Sequence, residues 1–257
     1  IIEDLQKQNR LTNAYSKLIA SAQIEFNGGV YTLAQLGKFM QDKDRETRKN
    51  ASKAYFGFYE KNEPEIARIY DELVKLRDGM AKKLGFNNYL ELGYLRLCRL
   101  DYDAKMVEGY RQQILEEVVP VSNKLHRRQA KRIGISQPNF YDWSLSFLSG
   151  NPSPKGDRDF LVNQAKVMYK EMSPETDAFF NFMVDSNLLD LEAKPGKQAG
   201  GYMTYFSRYK APFIFANFNG TSGDVDVLTH EVGHAFQGYE SRNIKVPEYR
   251  QPTLESC

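Results

Sequence analysis

The helical spacing of apolar residues, which recurs over most of the first 190 residues, restricts the possible folds of this chain more than any other feature. Ala51, Ala54, Tyr55 and Phe58 lie at positions i, i+3, i+4 and i+7, which places them on one face of an α-helix. The same spacing continues through residues 66–76 and returns in later stretches. It predicts a mainly α fold in which each helix buries one face.

Short segments depart from this pattern and predict strands. Residues 23–26 and 30–31 flank an Asn-Gly-Gly sequence, which is typical of a β-hairpin. Residues 201–206 and 211–218 are rich in Phe, Tyr and Ile and follow a segment rich in glycine. We therefore expect a helical body over residues 1–193. Residues 194–257 should hold the start of a catalytic region, with a small β element and one helix, cut off at its end.

Composition excludes several classes of function. The 257 residues carry 35 Lys and Arg against 33 Asp and Glu, so the net charge of +2 does not predict nucleic-acid binding. The two cysteines, Cys98 and Cys257, show no paired spacing and predict neither a disulfide framework nor a thiolate metal site. No apolar run approaches the roughly 20 residues that span a membrane. The expectation is a cytoplasmic protein without membrane partners.

A five-residue motif, His230-Glu231-Val232-Gly233-His234, carries the strongest chemical signal. Residues four apart lie on the same face of a helix, so the two imidazoles can bind one Zn²⁺ ion. Zinc with three protein ligands keeps a fourth position for water. Asp224 suits the N-cap of this helix, and an apolar stripe runs along its other side. The stripe consists of Val225, Leu228, Val232 and Phe236.

The residues between the two histidines suit catalysis. Glu231 is turned by about 100° from His230 around the helix, so its carboxylate is expected beside the metal-bound water as general base. Gly233 has no side chain, which would let a substrate approach the helix closely. His230, His234 and Glu231 are therefore the predicted metal ligands and catalytic residue, and Gly233 is a candidate substrate contact.

The strand predicted just before the motif helix allows two interpretations. It is either a buried strand or an edge strand whose free N–H and C=O groups pair with an extended peptide. The two are compatible if one face packs while the edge binds. On the second interpretation Phe215, Ala216 and Asn217 contact the substrate.

The segment from Phe218 to Phe236 resembles the signature of the oligoendopeptidase F and thimet oligopeptidase family of zinc peptidases. The match includes Gly220, Asp224-Val225, Leu228 and the His-Glu-x-Gly-His motif. Weaker similarity to the oligoendopeptidase F branch extends upstream, through residues 31–36, 44–48 and 77–89 and from Tyr141 to Pro152. The resemblance therefore covers nearly the whole chain.

The resemblance implies a multi-helix oligopeptidase fold with a deep cleft, a small β-sheet next to the motif helix, and short peptides as substrates. It also implies that His230 and His234 bind zinc, that Glu231 is the base, and that the enzyme works inside cells. The family's third ligand, a Glu, would fall just beyond Cys257. The Tyr and His groups that stabilise the transition state would also lie downstream, so we expect a piece of a longer enzyme.

Alternatives remain open at this point. Glu255 could be a third ligand in a thermolysin-like arrangement, and Glu248 and Glu240 are weaker candidates. A catalytically inactive relative that only binds peptides would carry the same helix. A basic stretch at residues 124–132 fits a solvated helix face better than a nucleic-acid site.

Overall fold

The computed structural model describes residues 1–246 and 249–250. Helices dominate this part of the chain, as predicted, and the mainly α fold with a small sheet is confirmed. The helices are α1 (Ile2–Ala20), α2 (Leu33–Leu36), α3 (Arg45–Lys83), α4 (Tyr89–Arg96), α5 (Ala104–Gln113), α6 (Val119–Arg132), α7 (Arg158–Met172), α8 (Pro174–Asp185) and α9 (Gly223–Glu240). The strands are β1 (Ile24–Phe26), β2 (Gly29–Tyr31), β3 (Leu189–Glu192), β4 (Tyr202–Phe206) and β5 (Ala211–Phe218).

Two compact units can be distinguished by their internal contacts. The first contains Ile1–Ile19 and Met40–Gly150, and the second contains Ala20–Phe39 and the chain from Asn151 onward. The predicted division at residue 194 was drawn from a change in sequence pattern, which is a different kind of boundary, and it stays a prediction. None of the helices in the described part of the chain is long and apolar enough to cross a membrane.

The first unit is built around the long helix α3. The carboxylate of Asp44 caps its start by accepting a hydrogen bond from the backbone N–H of Thr47 at 2.8 Å. Salt bridges connect α3 to α1, from Lys83 to Asp4 and from Lys7 to Glu72. Several buried apolar side chains form its interior: Leu11, Ala51, Ile69, Met80, Ala81 and Leu92.

A buried carboxylate connects the start of α3 to the segment after α6. Asp142 is fully buried and accepts hydrogen bonds from Arg48 at 2.9 Å and from Arg45 at 2.9 and 3.1 Å. The backbone N–H of Asn139 donates a further bond at 2.9 Å. Arg48 is only 1% exposed and also donates to the carbonyl of Asp42 at 2.8 Å. Burial alone would raise the pKa of Asp142, but these donors outweigh it and lower the pKa to about 2.

The second unit contains both sheets. The hairpin β1–β2 pairs Ile24 with Tyr31 and turns through Asn27 and Gly28, which both have positive φ, as the sequence predicted. The other sheet has the order β3-β5-β4, in which β5 pairs parallel with β3 and antiparallel with β4. The predicted strands at residues 201–206 and 211–218 are therefore confirmed, whereas β3 was not predicted.

Helix α9 packs against β5 and β4, and this contact forms the core of the second unit. Ile214 and Ala216 of β5 have no solvent exposure, because alternate residues of the strand face the helix layer. Aromatic rings extend the core toward α8, where Phe179 lies 5.3 Å from Phe236 and 5.2 Å from Tyr239 between ring centroids.

We predict that Asp142→Asn lowers the free energy of unfolding by about 3 kcal/mol, because it leaves the buried Arg48 guanidinium without its counterion. Urea denaturation of the two proteins measures this difference. Asp71→Asn is the matched control, because Asp71 pairs with Lys75 through side chains that are both exposed. The control should change stability little, and an equally small effect at Asp142 would contradict the buried ion pair.

The same ion pair predicts a dependence of stability on pH. The pKa of Asp142 is lowered from 3.8 to about 2 in the folded state, so its contribution to stability is present above the unfolded pKa. It is lost as the pH falls through the folded pKa. The stability difference between the wild type and Asp142→Asn should therefore be largest above about pH 5 and shrink toward pH 2. A constant difference across this range, measured by urea denaturation, would argue against an ionised Asp142.

Candidate active site

Helix α9 begins differently from the prediction. Its N-cap is Ser222, which makes no side-chain capping bond, and Asp224 lies inside the first turn. The Asp224 carboxylate instead accepts hydrogen bonds from the backbone N–H groups of Asn219 at 2.9 Å and Gly220 at 2.8 Å. Burial raises the pKa of Asp224, and these two donors oppose the shift. The carboxylate thus fixes the turn that leads into the helix.

The buried side chains of α9 show which face of the helix packs against the core. Leu228 and Val232 of the predicted apolar stripe are buried, and Phe236 packs against the same core. Val225 is 41% exposed, so the stripe does not extend to the first turn as expected.

The two predicted ligands lie together. The Nε2 atoms of His230 and His234 are 3.1 Å apart, and the ring centroids are 4.6 Å apart with the ring planes nearly perpendicular. Two nitrogens bound at about 2.0–2.1 Å to a tetrahedral zinc are about 3.3 Å apart. The spacing of the two rings and their imidazole donors therefore fit one zinc ion.

A third ligand is not found within residues 1–246 and 249–250, where no group of three His, Cys, Asp or Glu side chains could hold a metal. Glu240 lies in this range and completes no such group with the histidines. Glu248 and Glu255 lie outside the described residues. Glu231 also completes no such group, and its role as a base stays a prediction.

The Glu231 carboxyl group lies in a confined position beside the backbone of Gly201. Glu231 is only 6% exposed although it is next to the exposed His230. A Cβ atom at Gly201 would lie 3.7 Å from Glu231 Oε1, 3.0 Å from Val227 Cγ1 and 3.5 Å from the carbonyl oxygen of Phe215. The glycine therefore allows the start of β4 to approach α9 closely.

Two side chains hold the segment that leads to Gly201. The amide nitrogen of Asn217 donates to the carbonyls of Gln198 at 2.8 Å and Gly200 at 2.7 Å. The buried ammonium group of Lys197 donates to the carbonyls of Asp190 at 3.0 Å and Glu192 at 2.8 Å. Burial lowers the pKa of Lys197, and its ion pair with the Asp190 carboxylate opposes the shift.

The predicted substrate contacts differ in their position and exposure in the structure. β5 is the central strand, so the interpretation of residues 211–218 as an edge strand is wrong and the buried-strand interpretation is confirmed. Ala216 is fully buried, and the ring of Phe215 stacks on Tyr202 with 4.9 Å between centroids. Gly233 is exposed, and within the described residues nothing would lie within 4 Å of a Cβ atom added there.

Sequence reasoning missed Gly201 and Lys197. The Gly200-Gly201 pair was visible as a break in structure, but its contact with α9 depends on residues far along the chain. A lysine in a polar loop normally lies in solvent, and nothing local indicated that Lys197 is buried. In the sheet as described, β4 pairs only with β5, which leaves its other edge unpaired.

A helix with this spacing of histidines is typical of one class of peptidases. Comparisons with known proteins also point to a peptidase family. The model of peptidase family M3 matches residues 38–156 and 161–254. The chain belongs to peptidase family M3.

Individual relatives point to one branch of the family. The chain is 23% identical over 248 residues to an oligoendopeptidase F homolog of Borreliella burgdorferi and 24% identical over 223 residues to the chromosomal oligoendopeptidase F of Lactococcus lactis subsp. cremoris. These matches cover 96% and 82% of the chain but 40% and 34% of the relatives. The chain therefore spans about two-fifths of the length of these relatives at most.

Solved structures show the same fold at higher identity. A candidate oligoendopeptidase F from Bacillus anthracis str. Ames is 59% identical with a TM-score of 0.95, and PZ peptidase A with inhibitor 2 is 54% identical with a TM-score of 0.97. Each match covers 98% of this chain, and 46% and 45% of the respective structures. The family resemblance predicted from the sequence is confirmed.

Two glycine substitutions test whether α9 is closely packed at Gly201 and open at Gly233. Gly201→Ala should lower the free energy of unfolding by about 1–3 kcal/mol, because the new methyl group would press on Val227. Gly233→Ala should raise it by about 0.5–1 kcal/mol, because alanine favours the helix and meets no neighbour in the described structure. Urea denaturation measures both values. Effects of the same sign would contradict this account of the site.

Proposed function

We propose that this chain carries part of the active site of a zinc-dependent endopeptidase that hydrolyses short oligopeptides. The observation that carries the proposal is the 3.1 Å distance between the Nε2 atoms of His230 and His234, with the Glu231 carboxylate on the next position of the same helix. Membership of peptidase family M3 supports hydrolysis of a peptide bond. Zinc, the substrates and the roles of the residues are the proposal.

His230 and His234 would hold the metal through their Nε2 atoms. Bound zinc supplies a Lewis acid that polarises the scissile carbonyl and lowers the pKa of water. The third ligand is proposed to be a Glu just beyond Cys257, as the family resemblance implies. A thermolysin-like arrangement with Glu255 remains the alternative for this position.

Glu231 is proposed to be the general base. Its carboxylate accepts a proton from the attacking water and then passes this proton to the nitrogen of the leaving amine. Burial beside Gly201 limits the rotamers of the side chain, so that less conformational freedom is lost when the carboxylate is positioned for proton transfer. This confinement is what a base needs when the proton must be transferred twice.

The unpaired edge of β4 is proposed to bind the extended peptide by backbone hydrogen bonds. This replaces the earlier expectation that β5 provides the edge. Phe215 and Asn217 lie on the neighbouring strand β5 and would then support the peptide-binding strand indirectly. Phe215 stacks on the Tyr202 ring, and Asn217 donates to the Gly200 carbonyl. Ala216 would contribute only to packing. Gly233 would leave space on α9 for the peptide.

A peptide-binding relative without catalytic activity would have the same histidine pair, and only activity separates the two. We also propose a cytoplasmic location and no nucleic-acid partner, as the sequence predicted. The near balance of acidic and basic residues supports the second point.

The test uses the full-length natural protein, a quenched fluorescent peptide and zinc analysis of the purified protein. His234→Ala should remove stoichiometric zinc and activity together, because one imidazole ligand is lost. Glu231→Gln should retain zinc but lower kcat/KM by about 10²–10⁴, because the amide accepts no proton. The matched control is His126→Ala, which removes a histidine that lies against Trp143 in the first unit and should retain both.

Each result bears on a separate part of the proposal. Full zinc content in His234→Ala would overturn the metal site. Wild-type activity in Glu231→Gln would overturn the base. A wild-type protein that binds zinc and peptide but cleaves nothing would favour the inactive relative.

A further inference from the structure

A cleft of about 220 Å³ lies beside the Glu231 region, between the start of α9, the end of β5 and helix α2. Its walls include Ala34, Gly201, Phe218 and Val227, together with the turn that leads into α9. All of these residues belong to the second unit. Apart from Gly201, which borders Glu231, none of them has a role in the proposed proton transfer or in holding the metal.

The cleft is next to the proposed base because of the helical repeat. Val227 and Glu231 are four residues apart on α9 and therefore share a face, separated by one turn of about 5.4 Å. Gly201 borders both, since a Cβ atom there would lie 3.0 Å from Val227 and 3.7 Å from the Glu231 carboxylate. Residues of an extended peptide are about 3.4 Å apart. A side chain within one or two positions of the cleaved bond can therefore reach the cleft.

The polar side chains around the cleft are already bonded within the protein. Both donors of the Asn217 amide are used by backbone carbonyls. The Asn219 amide donates to the carbonyl of Ala34 at 2.8 Å, and its oxygen accepts from Thr221. The buried Asp224 carboxylate accepts two backbone N–H groups. A ligand would therefore meet mainly the methyl groups of Ala34 and Val227 and the ring of Phe218.

The volume sets a limit on what fits. A cavity of about 150 Å³ lined by apolar side chains holds benzene. The cleft at about 220 Å³ therefore has room for a leucine or phenylalanine side chain. Burial of such a side chain contributes favourably because apolar surface leaves water.

We propose that this cleft is a specificity pocket that accepts an apolar side chain, up to the size of phenylalanine, from a peptide residue next to the cleaved bond. The inference rests on the proposed peptidase function. Ala34 and Val227 are the residues that set its size, and Gly201 lies between the cleft and Glu231.

The test uses matched peptides that carry Ala, Leu, Phe, Lys or Asp at the positions flanking the cleaved bond, and the full-length natural protein. The wild type should cleave the Leu and Phe peptides fastest. Ala34→Phe should lower kcat/KM for these two by at least about tenfold relative to the Ala peptide, because the new ring fills the cleft. Val227→Ala should shift the preference in the opposite direction, toward Phe.

Binding provides a second measurement that does not need turnover. The affinities of the same peptides for Glu231→Gln protein, with and without the cleft substitutions, should follow the same order. Val225→Ala is the matched control, since Val225 is an exposed valine on the same helix and does not line the cleft. It should leave the order unchanged.

The outcomes separate the two proposals. Loss of cleavage by the wild type with the binding order preserved would overturn the peptidase and keep the pocket. Cleavage with no change of preference in Ala34→Phe and Val227→Ala would overturn the pocket and keep the peptidase. A preference for Lys at every flanking position would also overturn it, because it would indicate recognition by Asp224.

Discussion

The packing of α9 on β5 is the constraint on which the rest of the second unit depends. Leu228, Val232 and Ala235 lose nearly all solvent contact on the face of the helix that meets the sheet. Since each residue turns the helix by about 100°, burying this face fixes the direction of every other side chain on α9. His230 and His234 are brought together on one side because the core holds the opposite side.

The mixed sheet determines where Gly201 lies relative to α9. β5 is paired on both sides, so its backbone serves the fold, and the side chains of Asn217 and Phe215 act on their neighbours. Lys197 holds the loop after β3 against β3 itself by donating to the carbonyls of Asp190 and Glu192. These contacts place Gly201 against the helix, where any larger residue would separate β4 from α9.

Features that depend on neighbours in sequence were predictable. The helices, the hairpin at Asn27-Gly28 and the convergence of the two histidines all follow from spacings within a turn or two. The strand β3 was missed because four residues, Leu189–Glu192, carry little pattern and their partner lies more than twenty residues later. The central position of β5 and the burial of Lys197 likewise arise from pairing between distant segments, which a local pattern does not encode. The third ligand stays a prediction, because no group of three metal-binding side chains occurs within the described residues.

The discontinuity of the second unit has a consequence during synthesis. The carbonyl of Ala34 receives its hydrogen bond from Asn219, 185 residues later, and the side chain of Gln35 bonds to the carbonyl of Ala193. Ribosomes add about 5–20 residues per second, so the early hairpin and α2 leave the ribosome roughly 10–40 seconds before their partners exist. During that interval the two segments lack the partners that bury them in the folded chain, so their apolar side chains stay open to aggregation.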